Sequence, residues 1–132
     1  MKIHESAENY LETILILSQR NGSVRSIDIA NELEFSKASI SVAMKRLREN
    51  DYIRMDAGGL ITLTPRGLEI AEKMYFRHKV LSGLLISLGV DEQIALEDAC
   101  RIEHVISEQS FEKLLEHARR YSFSFGNSPT QQ

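Results

Sequence analysis

The sequence predicts a mainly α-helical protein: an N-terminal winged helix-turn-helix of three helices and a two-stranded wing, followed by a helical domain. Three observations lead to this fold class. Two capped helical patterns are separated by only two or three residues around Glu34-Phe35, the connection length of a helix-turn-helix. Two short β-rich runs then flank Asp56-Ala57-Gly58-Gly59, a hairpin signal. Thr64 as N-cap and Pro65 as first helical residue open a long helical pattern, because proline suits the first turn of a helix.

Each predicted helix of the N-terminal part has a start signal and an apolar face. Ser6, Ser26 and Ser36 stand as N-caps before three helices that we expect to end near residues 21, 33 and 50. On the third helix, Ile40, Met44 and Leu47 recur at i, i+4 and i+7, which is typical of a buried face. We expect the wing strands over residues 52–55 and 60–63.

The second half of the chain is predicted to be helical throughout. The fourth helix should end near Gly89, Asp91 should cap the fifth helix, and Ser107 or Ser110 should open the sixth. We therefore divide the chain into a winged helix-turn-helix DNA-binding domain over 1–66 and a helical metal-binding and dimerisation domain over 67–121. The Ser-, Pro- and Gln-containing stretch 122–132 is expected to be a flexible tail.

Composition excludes several classes of protein. The chain has 132 residues, of which 42% are hydrophobic and 27% charged, as in an ordinary soluble domain. It contains no apolar run near the roughly 20 residues that span a bilayer, and residues 1–9 do not resemble a signal peptide. We therefore expect no membrane partners. A single cysteine excludes an intramolecular disulfide framework, which favours a reducing compartment, and we expect a cytoplasmic protein.

Charge is distributed unevenly along the chain. The formal net charge is -3, yet the region 20–66 carries eight Lys and Arg against six Asp and Glu. The third helix has four cations and no acid between Lys37 and Arg48, which favours contact with DNA phosphates. The candidate DNA-contacting residues are Ser36, Lys37, Ala38, Ser39, Ser41, Lys45, Arg46 and Arg48. The alternative is a solvated basic helix face.

The helical half has more apolar surface than one copy can bury. Leucines and isoleucines are concentrated around residues 81–88 and recur in the stripes of the last two helices. A second copy would cover them, and two-fold pairing is the commonest oligomer. We therefore expect a homodimer whose two recognition helices read a pseudo-palindromic operator in double-stranded DNA.

Three potential metal ligands are spaced along the fifth predicted helix. Cys100, Glu103 and His104 stand at i, i+3 and i+4, which puts a thiol, a carboxylate and an imidazole on one face. A buried cysteine beside a surface Glu-His pair is an equally good interpretation of the spacing. Taken singly, Glu12 and His78 carry no particular signal.

Five short motifs together resemble the diphtheria toxin repressor family of iron- and manganese-dependent regulators, including the shorter manganese transport regulator branch. They are E-N-Y-L-E-T-I at 8–14, I-A-N-E-L at 29–33, L-T-P-R-G at 63–67, F-R-H at 76–78 and A-C-R-I-E-H-V at 99–105. The resemblance covers the chain to about residue 121. It implies a repressor of metal-homeostasis genes in which a divalent metal is the corepressor.

The resemblance also implies the metal ligands. The family pattern matches at Glu12, His78, Glu103 and His104. Asn9 departs from both branches, which have an acid or a methionine there, and offers a neutral amide oxygen. Cys100 matches the iron branch. Ser82 and Leu96 stand where that branch has the ligands of an ancillary site, which argues against an ancillary site of that form.

Mixed thiolate, imidazole and carboxylate ligands suit several divalent metals. We expect Fe²⁺ or Mn²⁺, with Zn²⁺ or Co²⁺ as surrogates. One alternative is a metal-independent winged-helix regulator with a small organic effector. Another is an enzyme with a thiol-imidazole dyad of Cys100 and His104, but the sequence has no Gly-rich oxyanion loop, and we expect no catalysis.

Overall fold

The computed structural model describes residues 5–121, which form six helices and one two-stranded sheet. The elements are α1 Glu5–Asn21, α2 Ser26–Leu33, α3 Lys37–Glu49, β1 Ile53–Met55, β2 Ile61–Leu63, α4 Pro65–Ser87, α5 Glu92–Val105 and α6 Glu108–Arg120. The predicted fold class is confirmed. None of the helices in this described range is long and apolar enough to cross a membrane. The predicted tail 122–132 lies outside the described residues.

The chain divides into two compact units, Met1–Lys73 and Met74–Gln132, so that α4 begins in the first unit and ends in the second. The boundary predicted at 66/67 lies a few residues earlier. In the first unit, the apolar stripes of α1, α2 and α3 form the core. Its most buried side chains include Leu11, Ile14, Ile29, Ile40 and Met44. Burial of these stripes is the main stabilising contribution to the helix-turn-helix.

The turn between α2 and α3 is made by a left-handed residue. Glu34 has φ 57° and ψ 41°, and the Phe35 N–H donates to the carbonyl of Ala30 at 3.0 Å, as at many helix C-termini. Ser36 then caps α3 as predicted, since its Oγ accepts from the Ser39 N–H at 3.1 Å. The helix-turn-helix connection is therefore as short as the sequence indicates.

The predicted cap of the second helix is wrong by one residue. Ser26 is the first helical residue of α2, and Arg25 is the N-cap. The carboxylate of Asp28 accepts from the Arg25 N–H at 2.8 Å, which fixes the extended backbone at Arg25. A carboxylate three residues after the cap thus determines the helix start here.

The wing is the predicted hairpin, with strands one residue shorter than expected. Ile53 pairs with Leu63 and Met55 with Ile61 in an antiparallel register. The Asp56 carboxylate accepts from the N–H groups of Gly58 and Leu60, both at 2.9 Å, an Asx-type turn. The loop before α2 holds this hairpin, because the Ile61 N–H donates to the Val24 carbonyl at 2.8 Å.

The start of α4 is anchored on the segment 50–52, which joins α3 to β1. The Thr64 hydroxyl donates to the Asp51 carbonyl at 2.7 Å and accepts from the Gly67 N–H at 3.1 Å, which confirms it as the predicted cap. The guanidinium of Arg66 lies over the Tyr52 ring, 4.3 Å from its centroid, and donates to the Asn50 carbonyl at 3.0 Å. The residues just before the wing therefore fix the position at which α4 begins.

The second unit is built from the later turns of α4 with α5 and α6. Its core contains Val80, Leu81, Leu84, Ala99, Phe111 and Ala118. Asp91 caps α5, accepting from the Gln93 and Ile94 N–H groups. Ser107, rather than Ser110, caps α6, and its Oγ accepts from the Ser110 N–H at 3.1 Å. The predicted caps thus position α5, which carries the candidate ligands.

We predict that Gly67→Ala destabilises the first unit by roughly 1–3 kcal/mol, the usual range for overpacking. A Cβ at this position would overlap the carbonyl oxygen of Tyr52, and neither backbone can yield without breaking the contacts at the start of α4. Urea unfolding followed by circular dichroism measures the change. Gly58→Ala is the matched control, because its Cβ would meet Asp56 Oδ1 at an ordinary 3.5 Å. Equal stability of the two variants would contradict the prediction.

Candidate functional site

The third helix presents its candidate DNA-contacting residues to solvent. Its buried side consists of Ile40, Met44 and Leu47. All eight predicted contact residues are exposed: Ser36, Lys37, Ala38, Ser39, Ser41, Lys45, Arg46 and Arg48. The helix therefore turns its cations outward, while its inner side packs against α2 and β1. A phosphate-binding surface requires this arrangement.

Packing of α2 against α3 creates a cavity that sequence reasoning missed. It has a volume of about 270 Å³ and is lined by Ser26, Ile27, Lys37 and Ser41. One ammonium group and two hydroxyls can bind an anion such as a phosphate. Ser26 gives no such signal in the sequence, where its position indicates a helix cap. Only the tertiary contact places it beside Lys37.

The wing adds further cations in the first unit. Arg54 is exposed on β1. Arg25, before α2, donates from Nε to the Gly58 carbonyl at 3.3 Å and so reaches the tip of the hairpin. The acid at this tip, Asp56, accepts hydrogen bonds from the turn backbone. Arg25 and Arg54 are not among the DNA contacts that the sequence predicts.

In the second unit, two imidazoles flank one buried carboxylate. Glu103 is 0% exposed. Its Oε1 lies 2.9 Å from His78 Nδ1 of α4, and its Oε2 lies 3.4 Å from His104 Nε2. The imidazole side chains are 20% and 7% exposed, respectively. The structure therefore brings three of the predicted metal ligands together around one carboxylate.

The backbone at Glu103 is held by a buried arginine. Arg77 Nη1 donates to the carbonyls of Glu103 and Ile106, at 3.0 Å and 3.1 Å. The same guanidinium lies 5.2 Å from the centroid of the Phe111 ring. Arg77 thereby satisfies carbonyls at the end of α5, which the helix itself leaves without donors. In the sequence this residue is only the middle letter of F-R-H.

The structure leaves Cys100 exposed, although it is one turn before His104 on the same helix. Spacing determines which side of a helix a residue occupies, whereas burial depends on what packs there. The thiol is accessible to solvent, and its assignment as a ligand stays a prediction.

The two remaining candidates, Asn9 and Glu12, belong to α1 in the first unit. Glu12 is buried. Asn9 is half-buried, and its backbone carbonyl accepts from the Thr13 hydroxyl at 2.8 Å. A buried carboxylate on an otherwise apolar helix face is costly unless it is paired or protonated. Its burial therefore distinguishes Glu12 from the surface glutamates of α1.

The donor set of the second unit fits a divalent transition metal. Burial of the Glu103 carboxylate calls for a positive partner, which the two imidazoles supply only when they carry a proton. Neutral imidazoles with one carboxylate are ligands that manganese, iron and zinc all accept. His78, Glu103 and His104 could therefore hold either protons or a metal ion.

Comparisons with known proteins identify both halves of the chain. The family model of the iron-dependent repressor N-terminal DNA-binding domain matches residues 2–58. The model of the iron-dependent repressor metal-binding and dimerisation domain matches residues 64–124.

Relatives and solved structures agree with this result. An uncharacterised HTH-type transcriptional regulator of Methanocaldococcus jannaschii is 33% identical over 83% of this chain and 90% of its own length. The HTH-type transcriptional regulator MntR of Bacillus pumilus is 31% identical over 83% of this chain and 76% of its own. The solved structure of the manganese regulator SloR superposes with a TM-score of 0.75 at 26% identity, covering 89% of this chain. This chain spans 54% of that longer protein.

We predict that Arg77→Met lowers the free energy of unfolding by roughly 1.5–3 kcal/mol, because the carbonyls of Glu103 and Ile106 would lose a charged donor in a buried or partly buried setting. Methionine retains the aliphatic packing, so that the missing hydrogen bonds dominate the change. Chemical denaturation measures the effect, with Arg101→Met as the control, since Arg101 is 81% exposed on α5. A variant as stable as this control would show that Arg77 contributes little.

Proposed function

We propose that this chain, which belongs to the iron-dependent repressor family of transcriptional regulators, represses metal-homeostasis genes with a divalent transition metal as its corepressor. The observation that carries the proposal is the fully buried carboxylate of Glu103 between the imidazoles of His78 and His104. An ionised carboxylate buried at this depth needs a compensating positive charge, which a bound metal ion would supply. DNA affinity measured with each metal and with a chelator tests the proposal.

We propose that Glu12, His78, Glu103 and His104 form the main ligand set. The contacts among the last three support this assignment, and the family pattern adds Glu12. Asn9 would offer an amide oxygen, and Cys100 a thiolate that is accessible in the described structure. The ion would supply positive charge to a carboxylate that is otherwise expensive to bury.

The proposed corepressor is Fe²⁺ or Mn²⁺. A site of carboxylates and imidazoles suits both ions, and a thiolate ligand would shift preference toward iron and later metals. Zn²⁺ and Co²⁺ would then bind as surrogates in vitro. Selectivity thus depends on whether Cys100 completes the coordination shell.

The proposed DNA complex has α3 in the major groove and the wing beside it. Lys45, Arg46 and Arg48 would contact phosphates, and the first turns of α3 would approach base edges. The cavity lined by Ser26 and Lys37 would take a further phosphate. Exposure of all eight predicted contact residues from Ser36 to Arg48 supports this assignment.

We propose that the active form is a homodimer on a pseudo-palindromic operator. The second unit leaves large apolar side chains exposed, including Ile86, Leu88, Ile94, Leu96, Val105 and Leu114. Exposed apolar side chains in such number are typical of an interaction surface. A second copy would bury them and present two recognition helices.

The proposed regulation follows from the ligand set. Glu12 belongs to the first unit, whereas His78, Glu103 and His104 belong to the second. Without metal, the acids repel and only a fraction of dimers would fit two half-sites. Shared ligation would restore that fraction and raise the apparent affinity for DNA.

We predict that Arg46→Ala weakens DNA binding and reduces the slope of log affinity against log salt by about one unit, because the guanidinium would neutralise one phosphate. The measurement is fluorescence anisotropy of a labelled promoter duplex at several salt concentrations with metal present. Arg119→Ala is the control, because Arg119 is exposed on α6. An unchanged slope in a folded Arg46→Ala protein would remove Arg46 from the interface.

We predict that His104→Ala lowers metal affinity at least about tenfold and abolishes metal-activated DNA binding. Metal uptake by the parent should weaken as pH falls, because imidazole, carboxylate and thiolate ligands must release protons to bind. Calorimetry in two buffers of different ionisation enthalpy measures the protons released. His117→Ala is the control, since His117 is exposed on α6.

Cys100→Ala, titrated with each metal under anaerobic conditions so that the parent thiol stays reduced, tests whether the thiol is a ligand. A ligand role predicts that affinity falls more for iron, cobalt and zinc than for manganese. If both His104→Ala and Cys100→Ala respond to metal like the parent, a metal-independent regulator with an organic effector replaces the proposal.

A further inference from the structure

Two apolar side chains lie at the centre of the outward face of α3. Ala38 and Val42 are one turn apart and exposed, and Val42 is 54% exposed. At 100° per residue, both lie nearly opposite the stripe of Ile40, Met44 and Leu47 that anchors the helix. The early turns of this face therefore carry an apolar pair, with basic residues along its borders.

The cations of α3 surround this apolar pair. By helical position, Lys37, Ser41 and Arg48 lie along one border, and Ser39 and Arg46 lie along the other. Lys45 is next to Val42 near the middle, in the adjoining turn. The acid of this helix, Glu49, is in its last turn, whereas the first turns of a recognition helix read the bases. Anionic groups would thus be bound on both sides of the apolar pair.

We propose that Val42, with Ala38, contacts the 5-methyl group of a thymine in each half-site and makes the operator preference at that position a preference for A·T. This inference rests on the proposed function as a DNA-binding repressor. The major-groove edge of thymine is the base edge with a methyl group, and apolar side chains recognise it. Phosphates on both groove walls would meet the two basic borders.

A protein partner is the other occupant that an exposed valine could have. Charge argues against it, because the apolar pair is small and four cations lie on the same helix without an acid from residue 37 to 48. The centres of protein–protein interfaces, by contrast, contain few charged residues. The polyanionic major groove matches this surface better.

The experiment starts from duplexes selected from a random library by the metal-loaded, full-length protein. In the selected sequence, each thymine is replaced in turn by uracil, which removes the methyl group and leaves base pairing intact. Affinity is measured by fluorescence anisotropy for the parent, Val42→Ala and Lys45→Ala. Val42→Ala should not affect folding, because the side chain is more than half exposed.

The expected result is one thymine per half-site at which uracil weakens parent binding about fourfold, the contribution of one buried methyl group. Val42→Ala should bind the thymine and uracil duplexes equally at that position. Lys45→Ala should weaken binding to both but retain the fourfold difference. The same uracil penalty in Val42→Ala as in the parent, or no penalty at any thymine in the parent, overturns the assignment of Val42. Failure to select any sequence with metal present would instead contradict the proposed function.

Discussion

Burial of the Glu103 carboxylate is the constraint on which the second unit depends. An ionised carboxylate that is 0% exposed must be compensated, because its desolvation costs several kcal/mol. His78 and His104 lie one beside each oxygen, and they can compensate the charge when they carry a proton or hold a metal ion. Arg77 holds the carbonyl of the same residue, so that the side chain has a defined position. A group held in this way is suited to exchange protons for a metal ion.

The first unit depends on apolar packing and on close backbone approach rather than on charge. The stripes of α1, α2 and α3 bury their large side chains, and Gly67 allows the start of α4 to touch the backbone of Tyr52. Because anchoring of α3 requires only its inner stripe, its outer face is available for recognition. Stability and the proposed DNA contact would therefore use different residues of one helix. This separation lets the outer face vary without disrupting the fold.

The helix α4 runs from the unit with the proposed DNA surface into the unit with most of the proposed metal ligands. The helix α4 begins at the wing, where Thr64 and Arg66 contact Asp51 and Asn50, and continues to His78. The candidate ligands on α4 and α5 therefore belong to a unit that is covalently continuous with the DNA-binding unit through one helix. In a bistable regulator, a ligand needs only a differential affinity for the two states to shift their populations. Ligands drawn from both units would provide that difference.

Local patterns in the sequence determined most of the elements. Apolar periodicity, Ser36, Thr64, Asp91 and Ser107 as caps, and the Asp56 turn predicted six helices and the wing, because these interactions join residues close in sequence. The pattern could not decide that Arg25 rather than Ser26 caps α2. Tertiary structure alone decided that Ser26 adjoins Lys37, that Arg77 supports α5, and that Cys100 is exposed while Glu103 is buried. Burial depends on which distant segment packs opposite a residue, and helical spacing carries no information about that segment.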